Sequence, residues 1–278
     1  MIIVTGSNGF IGSNLITQLN TLGEDNILAV DDHSDKDLEK NIIDCNISER
    51  VNIQEFLDMV LKGGLQPRKI NAIFHQGACS DTMEWDVDYI LKNNFNYSKV
   101  LLDFSERNKI PFIYASSASV YGVGKDFAEH QKNEAPINLY AYSKYLFDQV
   151  VRTRLLKADS QIVGMRYFNV YGPNETHKGS MASVAYHLHQ QLKEGNEVKL
   201  FEGSDGYGNG EQRRDFIHVD DIVKVNIWFY KNPNVSGIFN VGTGKSQTFK
   251  EVANAVMKWN EKGSIKYIPF PEKLKGSY

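Results

Sequence analysis

A glycine-rich turn follows directly on an apolar run at the start of the chain. The run 2–5 (IIVT) predicts a buried strand, the turn carries Gly6, Gly9 and Gly12, and the stretch 13–22 predicts a helix. Glycine allows a tight turn and lets an anion approach the backbone N–H groups, and the helix N-terminus adds partial positive charge. A strand, this turn and a helix in succession are typical of a dinucleotide-binding unit.

A second strand supports this interpretation. Residues 27–30 are apolar and lead into Asp31. Dinucleotide-binding units place an acidic residue about 20 positions after the last glycine, where it meets the adenosine ribose. We therefore predict a bound nucleotide cofactor; a purely structural turn is the alternative.

Composition narrows the class of protein. The chain has 278 residues, is 41% hydrophobic and carries a net charge of −3, with acidic and basic residues mixed along it. Nothing in this balance favours nucleic acid or an anionic membrane surface as a partner. No apolar run approaches the roughly 20 residues that span a bilayer, and two cysteines, Cys45 and Cys79, make no disulfide framework. We expect a cytoplasmic protein.

Apolar runs alternate with helical stretches over the first part of the chain. The runs are 2–5, 27–30, 70–74, 112–115 and 162–165. This alternation predicts an α/β fold with a Rossmann-type, doubly wound parallel sheet.

The regular alternation of apolar runs and helical stretches ends at Gly172-Pro173. An amphipathic stretch follows at 180–194 and a further predicted helix at 249–259. Three short apolar runs lie at 198–201, 238–241 and 265–268. We interpret 1–170 as the dinucleotide-binding domain, with parts of 215–245 returning to it, and 171–278 as a smaller substrate-binding domain. Residues 269–276 read as the approach to more structure, so we expect a terminal helix to be missing after Tyr278; a naturally short chain is the alternative.

A tyrosine and a lysine four residues apart carry the candidate chemistry. Tyr140 and Lys144 would lie on one helix face. A tyrosine has a pKa of about 10, and a nearby ammonium together with an oxidised nicotinamide would favour the phenolate. Upstream, the strand 112–115 ends in a serine-rich segment in which Ser117 could hydrogen-bond the reacting oxygen. The glycine turn, the serine and the pair, in this order, predict acid/base chemistry on a hydroxyl.

Other candidate chemistry is weaker. His187 and His189 lack a third ligand in register, so we predict no metal site. Residues 242–246 resemble the end of a phosphate loop, but Phe239 stands where that loop needs glycine. Cys79 has no histidine partner evident in the sequence, so we interpret it as packing near the cofactor.

These residues resemble the extended short-chain dehydrogenases/reductases of the NAD(P)-dependent epimerase/dehydratase family, and within them the ADP-heptose 6-epimerases. The resemblance covers essentially the whole chain. It rests on FHQGACS (74–80), TMEWD (82–86), YASSASVYG (114–122), YAYSK (140–144), RYFNVYGPNETHKGSMASVAYHL (166–188), KLFEGS (199–204), RRDF (213–216), FNVGTG (239–244) and IPFPEKLKG (268–276).

The resemblance implies roles for individual residues. The catalytic residues would be Tyr140, Lys178, Ser117 and Lys144, with Tyr140 and Lys178 as two acid/base residues. The cofactor would be held by Gly6, Gly9, Phe10, Ile11, Gly12, Asp31, Asp32, Gln76, Gly77, Ala78, Cys79, Ser80, Asn93, Lys144, Val170 and Lys178. The sugar nucleotide would be held by Ser117, Asn169, Ser180, His187, Phe201, Glu202, Gly203, Ser204, Arg214 and Tyr278.

Three departures from the family pattern bear on these roles. Position 76 is Gln where the family usually has Glu, and the loop 205–212 is longer than expected. Leu38 and Ile53 occupy places where the family offers lysines to the cofactor. Asp31 and Asp32 favour a free ribose 2′-hydroxyl and thus NAD. The resemblance implies NADP, for which Lys36 or Lys40 could reach the 2′-phosphate, and on balance we predict NADP with NAD as the alternative.

The resemblance also implies an activity. It predicts an isomerase that epimerises C6 of the heptose in ADP-D-glycero-D-manno-heptose, giving the L-glycero epimer for lipopolysaccharide core precursors, and a homo-oligomer that is a pentamer. Another nucleotide-sugar epimerase or dehydratase of the same superfamily is one alternative. A non-catalytic NADP-sensing protein is the other, against which the intact Ser117, Tyr140 and Lys144 set argues.

Overall fold

The computed structural model describes residues 1–66 and 68–272, and the chain in it forms two compact units. The first unit comprises Met1–Tyr167 and Val219–Val241. The second comprises Phe168–His218 and the described residues from Gly242 onward.

Helices and strands alternate along the chain. The helices are α1 (Phe10–Thr21), α2 (Lys36–Glu39), α3 (Ile53–Lys62), α4 (Val87–Ile90), α5 (Tyr97–Asn108), α6 (Leu139–Leu155), α7 (Val184–Glu194), α8 (Val219–Lys231) and α9 (Phe249–Asn260). The strands are β1 (Ile2–Thr5), β2 (Ile27–Asp31), β3 (Glu49–Asn52), β4 (Ala72–His75), β5 (Phe112–Ser117), β6 (Ile162–Tyr167), β7 (Asn169–Tyr171), β8 (Glu197–Phe201), β9 (Arg213–His218), β10 (Gly237–Val241), β11 (Ser246–Thr248) and β12 (Ser264–Ile268).

A parallel sheet forms the centre of the first unit. Among the described residues it has seven strands in the order β3-β2-β1-β4-β5-β6-β10, and each neighbouring pair is parallel. Every residue of β1, β4 and β6 is buried, as expected for strands covered on both faces. The strand order reverses between β1 and β4, and in such sheets ligands bind at the carboxyl ends of the strands at this point. The prediction of a Rossmann-type doubly wound α/β sheet is confirmed.

Large apolar side chains from several strands and helices form the core beside this sheet. The buried cluster includes Ile3, Leu28, Val30, Phe56, Ile73, Leu101, Leu102, Phe112, Tyr114, Phe147, Val151 and Ile162. The edge strand β3 was not predicted, because its sequence ERVN offers a single buried apolar side chain, Val51.

The second unit is built on two smaller sheets. β12 pairs in parallel with β8, and β9 pairs with β7 and β11. The cluster Leu188, Leu192, Val198, Leu200 and Ala253 joins β8 to α7 and α9. A capping box between Thr248 and Glu251 starts α9.

Helix α7 begins later than the amphipathic pattern suggested. Gly179 has a φ of 52° and a ψ of −125° inside the 3₁₀ segment Thr176–Met181, so the chain kinks there. Ser183 then caps the helix by accepting from the backbone N–H of Tyr186. Among the described residues no helix combines the length and the apolar character that a membrane span requires.

Candidate active site

Backbone segments at the start of α1 approach too closely for any side chain. A Cβ on Gly6 would lie 2.5 Å from the backbone nitrogen of Gly77, and one on Gly12 would lie 1.9 Å from the carbonyl oxygen of Gly6. Gly6 has a φ of 68°, and Gly9 precedes the helix without a side chain that could cap it. These glycines leave a backbone-lined cradle at a helix N-terminus, which fits a pyrophosphate. Phe10 and Ile11 form the first positions of α1 above it.

Two aspartates, Asp31 and Asp32, lie at the end of β2, where the sequence analysis predicted the adenosine ribose. The Asp31 carboxylate accepts from the backbone N–H of Asn8, 2.8 Å away, and from that of Asp32, 2.9 Å away. The hydroxyl and the N–H of Ser34 donate to Asp32 at 2.6 and 3.0 Å. These hydrogen bonds lower the pKa of Asp32. Asp31 thus connects β2 to the glycine turn, as a ribose-binding carboxylate would.

Lysine and arginine side chains near these aspartates already contact carboxylates. Lys40 Nζ lies 2.5 Å from the Asp37 carboxylate, and Arg50 lies 3.5 Å from Glu39. Glu39 in turn accepts from the buried Asn8 side chain at 2.7 Å. Lys40 and Arg50 are therefore already paired with carboxylates near the candidate ribose site, where Asp31 and Asp32 add negative charge.

The segment after β4 is anchored from several sides. The Gln76 amide donates to Asn226 and accepts from the Tyr167 hydroxyl, both at 3.0 Å. A neutral amide fits this place because it can donate to one partner and accept from the other. The remaining predicted cofactor residues of this segment, Gly77, Ala78, Cys79 and Ser80, follow it in the loop after β4.

A buried asparagine that the sequence analysis did not single out positions this loop. Residues Leu91–Asn96 form a π-helical turn, a feature frequently found at functional sites. In it the Asn94 side chain accepts from the Cys79 N–H at 2.8 Å and donates to the Cys79 carbonyl at 2.9 Å. It also donates to the Ser143 hydroxyl at 3.0 Å. The predicted cofactor residue Asn93 lies beside it and donates to the Tyr89 carbonyl at 2.9 Å.

Three of the four predicted catalytic residues come together in the first unit. Tyr140 and Lys144 lie one turn apart on α6, and the Tyr140 side chain is hydrogen-bonded to Ser117 at the end of β5. Ser117 itself accepts from the Ser119 hydroxyl at 2.8 Å. Lys144 Nζ donates to the Ala115 carbonyl at 2.7 Å. The serine hydroxyl and the phenol thus stand side by side, as the sequence predicted.

The protonation state of this set is governed by burial. Burial raises the pKa of Tyr140, while the hydrogen bond from Ser117 opposes that rise. Burial lowers the pKa of Lys144 to about 8. In the structure the lysine donates to a backbone carbonyl, and the expectation that its ammonium, together with an oxidised nicotinamide, favours the Tyr140 phenolate stays a prediction.

The fourth predicted catalytic residue lies in the second unit. Burial lowers the pKa of Lys178, and Glu175 opposes that shift. The buried Glu175 carboxylate accepts from Gly172 N–H at 3.1 Å and from the backbone and hydroxyl of Ser183 at 2.5 and 2.8 Å. Glu175, which was not predicted, therefore fixes both ends of the segment that carries Lys178.

The remaining predicted residues also belong to the second unit. Asn169 and Val170 lie on β7, Ser180 lies in the 3₁₀ segment, and His187 lies on α7. Phe201 ends β8, and Glu202, Gly203 and Ser204 follow it. Arg214 lies on β9 beside Arg213, whose guanidinium donates to Ser246. Tyr278 lies outside the described residues.

Known proteins resemble the chain along its whole length. Residues 2–242 match the model of the NAD dependent epimerase/dehydratase family. An ADP-L-glycero-D-manno-heptose-6-epimerase of Alkalilimnicola ehrlichii is 50% identical over 100% of this chain and 87% of its own length.

Two crystal structures resemble the chain as well. That of the Helicobacter pylori ADP-L-glycero-D-manno-heptose-6-epimerase has a TM-score of 0.82 at 32% identity, covering 96% of this chain and 84% of that one. That of a Thermotoga maritima UDP-glucose 4-epimerase with UDP-glucose has a TM-score of 0.81 at 26% identity, covering 98% and 86%.

Proposed function

The chain belongs to the NAD dependent epimerase/dehydratase family, and we propose that it interconverts the two C6 epimers of ADP-glycero-D-manno-heptose. The observation that carries this proposal is the set of Ser117 at the end of β5 with Tyr140 and Lys144 on α6, in the same unit as a cradle that fits a dinucleotide. The substrate class comes from the relative that is 50% identical over the whole chain.

The proposed chemistry needs proton transfer at one oxygen. A nicotinamide cofactor held at the glycine turn would supply the hydride acceptor and donor for C6, so that hydride leaves one face of C6 and comes back on the other. Tyr140 would move the hydroxyl proton in one epimer, and the Ser117 hydroxyl beside it would orient the same oxygen. Lys144 would hold the cofactor ribose. The oxygen points in opposite directions in the two epimers, so Lys178, whose pKa burial lowers, would serve the other one.

A turnover assay tests the substrate. Purified protein incubated with ADP-D-glycero-D-manno-heptose should yield a mixture with the L-glycero epimer, followed by NMR of the sugar. UDP-glucose is the comparison substrate, and we expect no turnover of it. Turnover of the UDP-sugar alone would indicate another epimerase of the superfamily. If neither sugar turns over, a protein that only senses the nucleotide becomes the better explanation.

For the cofactor we propose NAD, the alternative in the sequence analysis, rather than the NADP that was predicted there. A 2′-phosphate would bring close to two further negative charges next to Asp31 and Asp32. Lys40 and Arg50 are already paired with Asp37 and Glu39, and Leu38 and Ile53 carry no charge. Of the two lysines named in the sequence analysis, this leaves Lys36 to face the charge of a 2′-phosphate. A ribose with two free hydroxyls needs acceptors instead, and the Asp31 carboxylate supplies them.

We expect the purified protein to contain nicotinamide cofactor without any being added, because the hydride must stay bound between the two half-reactions. Denaturing the protein and separating the released nucleotides should give NAD. A matched variant, Leu38→Lys with Ile53→Lys, should gain affinity for NADP and change little in affinity for NAD. Recovery of NADP alone from the unmodified protein would overturn the charge argument.

We further propose a cytoplasmic homo-oligomer that supplies precursors of the lipopolysaccharide core, with ADP-heptose as its small-molecule partner. The resemblance implies a pentamer, and light scattering coupled to size exclusion would measure the subunit number.

A further inference from the structure

Three residues on one face of α6 each contact one of three consecutive residues at the end of β5. Tyr140, Lys144 and Asp148 recur every four residues, so they form one stripe along the helix. Lys144 contacts the Ala115 carbonyl, and the Asp148 carboxylate accepts from the hydroxyl of the next strand residue, Ser116, at 3.0 Å. Ser117, which follows Ser116 on the strand, is hydrogen-bonded to Tyr140. The strand end thus fixes the register of the whole stripe.

Asp148 is the most heavily hydrogen-bonded member of this stripe. It accepts from Arg166 Nε and Nη2 at 3.0 and 2.8 Å and from the Tyr114 hydroxyl at 2.8 Å, besides Ser116. The side chains of Asp148 and Arg166 are completely buried. Gly164 leaves room for this arrangement, because a Cβ there would lie 2.4 Å from the Tyr114 hydroxyl.

Arg166 has a second acidic partner. It donates to Glu134 at 2.5 Å and to the Tyr121 hydroxyl at 2.9 Å. Glu134 also pairs with Arg152. Both carboxylates therefore neutralise Arg166, but Asp148 alone of the two lies one helical turn from Lys144. If these carboxylates served only to neutralise Arg166, their loss would affect the reaction alike, whereas an effect through Lys144 is expected of Asp148 alone.

We infer that Asp148, held by Arg166, is a positioning residue of the reaction, which sets Tyr140 and Lys144 against β5 and provides the counter-charge for Lys144. This inference rests on the proposed function in so far as Tyr140 and Lys144 are the reacting pair. The groups that face Lys144 are Asp148 on its own helix, Cys79 in the loop after β4 and His75 on β4.

The direction of the pH effect follows from these neighbours. Burial lowers the pKa of Lys144 to about 8, and the Asp148 carboxylate holds it from falling further. Burial raises the pKa of the Cys79 thiol, so that neighbour carries no charge in the same pH range. Burial lowers the pKa of His75 to about 3, so that ring is neutral near pH 7. Removing the Asp148 charge should lower the pKa of Lys144, so the lysine loses its proton at lower pH.

A pair of amide variants tests the inference. Asp148→Asn and Glu134→Gln each remove one buried carboxylate from Arg166, but only the first removes charge beside Lys144. We expect the basic limb of the pH–rate profile to move to lower pH by about one unit in Asp148→Asn, with a loss of about fivefold at pH 8 that approaches tenfold at higher pH. Glu134→Gln should keep the limb of the unmodified enzyme. Identical limbs in the two variants would refute the inference.

Retention of bound cofactor against pH, measured without any sugar, gives a second readout. As the pH is raised, the fraction of protein that retains its cofactor should begin to fall at a lower pH in Asp148→Asn than in Glu134→Gln. If the unmodified protein turns over no ADP-heptose while this difference persists, the proposed function fails, and only the part of the inference in which Asp148 is the counter-charge of Lys144 stands.

A milder variant covers the case in which Asp148→Asn does not fold. Tyr114→Phe removes one donor from the Asp148 carboxylate and leaves every charge in place, so it should lower the rate several-fold without moving the basic limb. Tyr97→Phe is the matched control, because the buried Tyr97 hydroxyl has no hydrogen-bond partner among the described residues. Equal rates in the two tyrosine variants would contradict the positioning role.

Discussion

Replacing Tyr140 with phenylalanine is expected to lower turnover of ADP-heptose by roughly 10²-fold or more while the bound cofactor stays in place. The hydroxyl that is lost would move the substrate proton, and the half-buried ring that remains keeps α6 packed on β5. Steady-state rates and the nucleotide content of the purified variant measure the two effects separately.

Lys144→Ala is the comparison for that variant. Lys144 is buried and contacts the Ala115 carbonyl, and in the proposed mechanism it also holds the cofactor ribose. Its removal should therefore lower both cofactor content and rate. If the two variants reduced cofactor content equally, this division of roles between the phenol and the ammonium would be wrong.

Gly12→Ala should abolish cofactor retention and destabilise the fold. The added Cβ would lie 1.9 Å from the Gly6 carbonyl oxygen, a backbone atom that can yield only if the turn moves. Overpacking of this kind costs about 1–3 kcal/mol and occasionally more, so we expect the melting temperature to fall by about 5 °C or more.

Gly195→Ala is the matched control for that substitution. Its Cβ would meet the nearest atom, the Gln191 carbonyl oxygen, at an ordinary contact distance of 3.7 Å. We expect a change in the free energy of unfolding within about 0.5 kcal/mol and normal cofactor content. A Gly12→Ala protein that retained both its cofactor and the stability of the Gly195→Ala control would show that the close approach at the turn is not required.

The sheet could be predicted because its strands are buried on both faces. A continuous apolar run, visible in the sequence, marks each of the strands β1, β2, β4, β5 and β6. The edge strand β3 has one buried apolar residue and gave no signal. The start of α7 was placed at Ser180, too early, because the amphipathic stretch includes Ser180 and Met181, which belong to the 3₁₀ segment, whereas the helix begins only after the Ser183 cap.

The candidate site was predictable where motifs are local in sequence. Ser117, Tyr140 and Lys144 were recognised from short segments, and the structure brings them together. Asn94 and Glu175 were missed because their function lies in hydrogen bonds to backbone groups that only the folded chain places within reach. The pairing of Asp148 with Arg166 joins a helix to a strand and has no counterpart in local spacing.

Epimerisation in deuterated water tests the central claim most directly. If C6 loses and regains its hydrogen as hydride on one bound cofactor, that hydrogen never exchanges with solvent, and the product should carry no deuterium on carbon. Lys178→Met should slow the reaction and leave this result unchanged, because the lysine would move only a proton on oxygen. Stoichiometric deuterium at C6 of the product would contradict the account.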